Sequence, residues 1–160
     1  MATGTMRWYR KGLTSILSGS VDYLTSVIKV ALVSGTYSIP DTATSASQDG
    51  HDFFNHVRPY EVGRQSGTAT GYTAGGYTLA NKSIGTSTGG IARLINSADP
   101  SWASSYIRAR GCVVWASTTA ASATSPLLGW ANFSATVESS NGTFTLDLDA
   151  TNGILYVNAS

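Results

Sequence analysis

His51 and His56, with Asp49 and Asp52 beside them, are the one place in this 160-residue chain where metal-ligating residue types gather. Zinc-binding helices space their ligands three or four residues apart so that both imidazoles share a face. A separation of five puts these two on different faces, which favours packing or capping, and no metal or other cofactor is expected. Gly85-Thr86-Ser87-Thr88-Gly89 matches the G-x-S-x-G elbow that lifts a nucleophilic serine above a mostly parallel sheet. That elbow needs a strand before it and a helix after it, and no β-α-β alternation surrounds this one. Asp147 and Asp149 fall on one side of an alternating strand, a spacing that would suit the paired acids of a glycosidase. A solvated strand face whose charges discourage edge pairing accounts for them more simply. With two histidines, one cysteine and nine carboxylates scattered along the chain, residue chemistry points away from an enzyme.

Residue types that make contacts are better represented. Arg7, Trp8, Tyr9, Arg10 and Lys11 set three basic side chains beside two large aromatics, and Trp, Tyr and Arg are the types that most often dominate interfaces. The plainer reading is an amphipathic helix whose aromatics face its own core. A second contact surface is expected in the Gly/Thr-rich loop from Gly63 to Gly76, with Tyr72 and the nearby Tyr77 as its aromatic contacts. Tyr72, Tyr77, Trp102, Tyr106, Trp115 and Trp130 also contain the makings of a sugar-stacking platform, for which core packing is the competing explanation.

Composition narrows the partner. Charged residues make up 12% of the chain, about half the usual share. Small hydroxyl residues take their place, and these lose little entropy when immobilised against another surface. A formal net charge of +1 provides no field to attract nucleic acid or an anionic membrane, and neither is expected as a partner. Cys112 is the only cysteine, so no intrachain disulfide can form, and its apolar neighbours predict a buried thiol. Val27 to Val33, broken by Lys29, is too short to cross a bilayer. No signal peptide is evident, so synthesis and folding in a cytoplasm are expected.

The elements that must position these residues are mostly strands. Met6 to Leu17 carries Tyr9, Leu13, Ile16 and Leu17 at helical spacing, and His51 to Val57 predicts a second, small helix. Strands are predicted at Val27 to Val33, Tyr77 to Ala80, Ile91 to Ile95, Tyr106 to Trp115, Leu127 to Val137, Thr143 to Asp149 and Ile154 to Val157, with a turn over the glycines from Gly85. Asn141-Gly142 favours a type I′ hairpin turn, and Phe144, Leu146 and Leu148 are expected to point inward. The resulting fold class is mainly β: a single antiparallel β-sandwich or barrel-like domain with a short N-terminal helix and one small internal helix. Residues 1–20 form an N-terminal arm and short helix, and residues 21–160 one β-rich domain.

Ile28 to Val33, His51-Asp52-Phe53-Phe54, Glu61-Val62, Gly71-Tyr72-Thr73-Ala74-Gly75-Gly76 with Thr78-Leu79-Ala80, Ser125 to Gly129, and Asn141 to Thr145 follow one another along the chain. Taken in that order they resemble a family of small virion structural proteins of tailed bacteriophages, and synthesis in the bacterial host's cytoplasm is implied with it. The chain departs from that pattern by a longer Gly63 to Thr70 stretch. The resemblance implies a head-associated decoration or cement protein with no catalytic residues to transfer. The expected partner is the major capsid protein, bound on the outer capsid surface of the virion by a homotrimer. A tail, fibre or baseplate component and a carbohydrate-binding module on the virion are the alternatives.

Overall fold

The computed structural model describes residues 2, 4–38, 51–64, 69–87, 91–96, 98–118, 122–148 and 153–158. Its organising element is an antiparallel pair of long strands, β7 (Ser101–Ser117) and β8 (Leu127–Thr145). Strand β2 (Val27–Val33) pairs with the C-terminal half of β7, from Val27 opposite Ser117 to Val33 opposite Gly111. Three two-residue strands complete this sheet. β1 (Arg7–Trp8) pairs with β8, β3 (Ala69–Thr70) with β7 and β4 (Tyr77–Thr78) with β2. A second sheet orders β5 (Lys82–Ser87), β6 (Ile91–Asn96) and β9 (Leu155–Asn158), again antiparallel. The helices are α1 (Arg10–Leu17) and a single turn, α2 (Phe54–Val57). The fold is therefore mainly β and sandwich-like, and the barrel alternative gives way because the outer strands of the large sheet do not pair with each other.

The composition of β2 explains why the large sheet sits at the centre. Ile28, Val30 and Leu32 face one apolar cluster, shared with Cys112, Val114, Leu128, Leu94 and Leu155. Ala31 and Val33 face another, shared with Val113, Trp115, Trp130, Tyr9 and Phe54. A strand covered on both faces needs a near-continuous apolar run, which VIKVALV supplies. The small sheet covers the first face: a Cβ on Gly129 would lie 2.7 Å from the Leu155 side chain. Tyr9, Tyr37 and α2 cover the second, where Phe54 stacks on Trp115 with centroids 4.0 Å apart.

The β7–β8 ribbon is bent. Register shifts fall between Trp102 and Ser105, Ser105 and Ile107, Ala109 and Gly111, and Val114 and Trp115. Ser104, Ser134 and Asn141 hold positive φ at these irregularities, and extra residues in one strand of a pair bend it. The N-terminal segment measures the result. Ala2 bridges to Leu146 while Arg7 pairs with Trp130. The chain from Ala2 to Arg7 reaches no more than roughly 18 Å, whereas a straight strand from Trp130 to Leu146 would run roughly 50 Å. Ala2 and Arg7 thus mark how near bending has brought Trp130 in β8 to Leu146 just beyond its end.

Local predictions fail where tertiary pairing overrides them. Helix α1 starts at Arg10, because Arg7 and Trp8 are drawn into the sheet. Leu17, assigned to its apolar stripe, is 74% exposed. Asn141-Gly142 is not a hairpin turn: β8 continues through it, with Gly142 opposite Ser105, and the strand expected at Ile154 to Val157 joins the small sheet as β9. The glycine-rich turn predicted from Gly85 begins inside β5. There Gly85 is required because Ile95 Cδ1 lies 2.7 Å from the position of a Cβ. Phe144, Leu146 and Leu148 are buried as expected. Asp49, Asp149, Thr88 and Gly89 lie outside the described residues.

Candidate interaction surfaces

The residues singled out for chemistry do not come together. His51 Nδ1 meets Tyr37 Oη at 2.5 Å, and Tyr37 Oη lies 2.9 Å from Tyr9 Oη, forming a polar chain into the interior. The imidazole stacks on the Tyr9 ring at 6.1 Å. Burial, with His56 nearby, holds the His51 pKa below its ordinary value, while Asp52 opposes the shift. His56 points its Nδ1 back to accept from the backbone N–H groups of Asp52 and Phe53, at 3.3 and 3.5 Å, and so caps the entry to α2. Both Nδ1 atoms are engaged, and among the described residues no group of three or more His, Cys, Asp or Glu is placed to hold a metal. Ser87 ends an antiparallel strand, not a strand-to-helix elbow. Cys112 is fully buried, and burial pushes its thiol up to about 12.

The contact residues divide in two. Tyr9 is fully buried and belongs to the core, so it offers no face to a partner; burial and Tyr37 beside it raise its pKa. Tyr72 and Tyr77 pack against the core with Trp102, at 5.7 and 6.0 Å, and Trp102 packs against Phe144 at 6.0 Å. Trp102, Trp115 and Trp130 are each at most 6% exposed. The aromatics considered for sugar stacking are therefore mainly core, and of the six only Tyr106 is classed as exposed.

Arg7, Arg10 and part of Lys11 remain at the surface. Each is fixed from below: Arg7 by pairing with Trp130, Arg10 and Lys11 by a helix whose Gly12 lies against β8. The Arg7 guanidinium lies over the Trp130 ring at 5.7 Å, and the Lys11 ammonium over Phe53 at 5.2 Å. Trp8 donates its indole N–H to the Tyr156 carbonyl at 2.8 Å, fastening the arm to the small sheet. Beside Arg7 opens a hollow of about 460 Å³ lined by Gly4, Thr5, Trp130, Asn132, Phe133 and Ser134 as well as Arg7. Among the described residues no carboxylate lines it and none accepts from the buried Trp130 indole N–H.

Sequence reasoning missed the polar centre of the molecule. Glu61 is fully buried, yet its carboxylate accepts from Tyr72 Oη at 2.9 Å, from Arg64 Nε at 3.0 Å and from the Gly75 N–H. Tyr72 Oη in turn accepts from the Leu32 N–H at 3.1 Å. Burial and then the neighbouring carboxylate raise the Tyr72 pKa well above its usual value. Gly76 explains the double glycine of this loop: at φ +83° a Cβ there would lie 1.9 Å from the Val30 carbonyl oxygen. The Gly71 to Gly76 segment, expected to meet a partner, is bound to its own β2 and Glu61. Comparison with known proteins found no matching family model, curated protein or solved structure.

Proposed function

We propose that this chain is a non-enzymatic structural component of a tailed-bacteriophage particle, a decoration protein that adheres to the outside of the head and reinforces the shell. The reading rests on the resemblance carried by the sequence segments above and on a low-charge surface over a stiff sheet. The single observation that carries the contact site is Arg7: exposed, fastened by strand pairing to Trp130, and opening onto a hollow without a carboxylate. A cation held on a rigid edge beside a hollow of that lining suits an acidic or carbonyl-rich segment of the capsid protein. Three copies acting together would turn moderate contacts into firm retention through effective concentration.

The test is occupancy on purified particles, counted by quantitative mass spectrometry. A head decoration role expects many copies per particle. It also expects the combined variant Arg7→Glu, Arg10→Glu, Lys11→Glu to melt like the wild type while binding at least about tenfold less, a loss of about 1.4 kcal/mol. A few copies per particle would assign the chain to the tail or fibre. Absence from mature particles would overturn the reading altogether.

A further inference from the structure

Trp130 is 2% exposed, and among the described residues its indole N–H finds no acceptor. A buried donor left unpaired loses its hydration without compensation, so folded proteins rarely keep one unless a bound group supplies the acceptor. The ring borders the hollow beside Arg7. Arg7 and Trp130 stand directly opposite each other in the antiparallel pair of β1 and β8, and opposed residues share one face of a sheet with their Cβ atoms about 4.5–5.5 Å apart. The guanidinium lies 5.7 Å from the centroid of the ring. Asn132, two residues further along the same face of β8, has its amide oxygen engaged by the Ser134 N–H at 2.9 Å. Gly4 lets the N-terminal segment close against this floor, because a Cβ there would lie 2.9 Å from the Asn132 carbonyl oxygen. Backbone pairing thus sets the indole and the cation side by side before any ligand arrives.

We propose that the hollow is a carboxylate site, in which the Arg7 guanidinium and the Trp130 indole N–H together donate to the oxygens of an acidic side chain or chain end. Charge selects the ligand class. Among the described residues that line the hollow Arg7 alone is charged, so a monoanion balances it. A phosphate group carrying about −1.5 to −2 brings an excess that nothing there offsets. Shape agrees, since a guanidinium donates as a planar fork that matches the two coplanar oxygens of a carboxylate. A neutral carbonyl could serve the indole, but a hydrogen bond to an ionised acceptor is roughly twice as strong. At about 460 Å³ the hollow exceeds a bare carboxylate and has room for the side chain that bears it and some adjoining backbone. Of the acidic and carbonyl-rich segments considered for the contact, this selects the acidic one. The identity of that partner rests on the contact reading above, whereas the chemistry of the site rests on Arg7 and Trp130.

The Trp130 indole proton reports the site directly by NMR, assigned through its own backbone in the isotope-labelled full chain. Two probes present the carboxylate: the α-amide of N-acetylglutamate as a side chain, and N-acetylglycine as a chain end. Titration with them is expected to move the Trp130 signal downfield and to saturate, leaving the Trp8, Trp102 and Trp115 indole signals in place. The acid that saturates at lower concentration identifies the source. Neutral N-acetylglutamine amide is expected to have no effect, and Arg7→Gln, folded as judged by its other indole signals, to weaken binding at least about tenfold. A Trp130 signal that ignores both acids overturns the proposal. So does a shift that chloride reproduces at equal ionic strength, that inorganic phosphate produces more strongly, or that survives Arg7→Gln. Particle occupancy separates this inference from the reading it narrows. A silent indole with occupancy still lost on charge reversal sinks the carboxylate site and keeps the contact; saturable binding with occupancy unchanged keeps the site and sinks the capsid contact.

Discussion

Glu61 shows how one buried side chain can hold a loop in place. Its carboxylate supplies acceptors to a tyrosine hydroxyl, a guanidinium and a loop N–H, and through Tyr72 it ties the 71–76 loop to β2. Removing an acceptor while its donors stay buried costs the desolvation of those donors. Glu61→Ala is expected to lower stability by about 3 kcal/mol and Tyr72→Phe by about 1–3 kcal/mol, measured by urea unfolding. His51 makes stability depend on pH. Its folded pKa is depressed below the ordinary 6.5, because burial disfavours the imidazolium. Above 6.5 the ring is neutral folded or unfolded, and its stabilising contribution is fully present. As pH falls below 6.5 the unfolded chain takes up the proton first, so stability declines until pH passes below the folded pKa. Melting temperature recorded from pH 8 to 5 should hold steady and then fall below about 6.5, and His51→Phe should flatten that part of the decline.

At the scale of elements, the N-terminal segment departs furthest from expectation. Read as a strip of sequence, residues 1–20 look like an appendage. In the fold they contribute an edge strand, the fully buried Tyr9, and a helix laid directly on β8. A Cβ at Gly12 would lie 2.4 Å from the Leu128 Cα, so Gly12→Ala must push α1 off the sheet. A loss of about 1–3 kcal/mol is expected from denaturant unfolding. Deleting residues 1–9 should cost about 3–5 kcal/mol, judged from the loss of a buried aromatic alone. β2 was legible because an apolar run that short and that rich in branched residues has few alternatives. Phe144, Leu146 and Leu148 were legible because alternation reports a buried face directly. Asn141-Gly142 misled because the dipeptide reports only a tolerance for positive φ, which a bulge uses as well as a turn. β5 was hidden because Gly85 serves close packing by Ile95, and local composition cannot see a residue ten positions away. The proposed contact site was half legible: the sequence marked Arg7 to Lys11, but burial separates Tyr9 from its cationic neighbours.

For the whole molecule, the two-faced burial of the β2–β7–β8 sheet predicts a graded pattern of hydrogen exchange. Amides of β2 and of Gly111 to Trp115 should exchange only with global unfolding, and those of β5 much sooner. Trp8 and Tyr156 lie 148 positions apart, yet one closes the edge of the strand that carries the other. A chain emerging from the ribosome therefore waits for nearly its last strand before its first can be locked in place. Until then the β6 edge that β9 covers stands open, and newly made copies are most prone to associate wrongly during that interval. Late closure of this kind favours slow refolding, in milliseconds to seconds, and makes crowding of nascent chains the condition under which yield should suffer first.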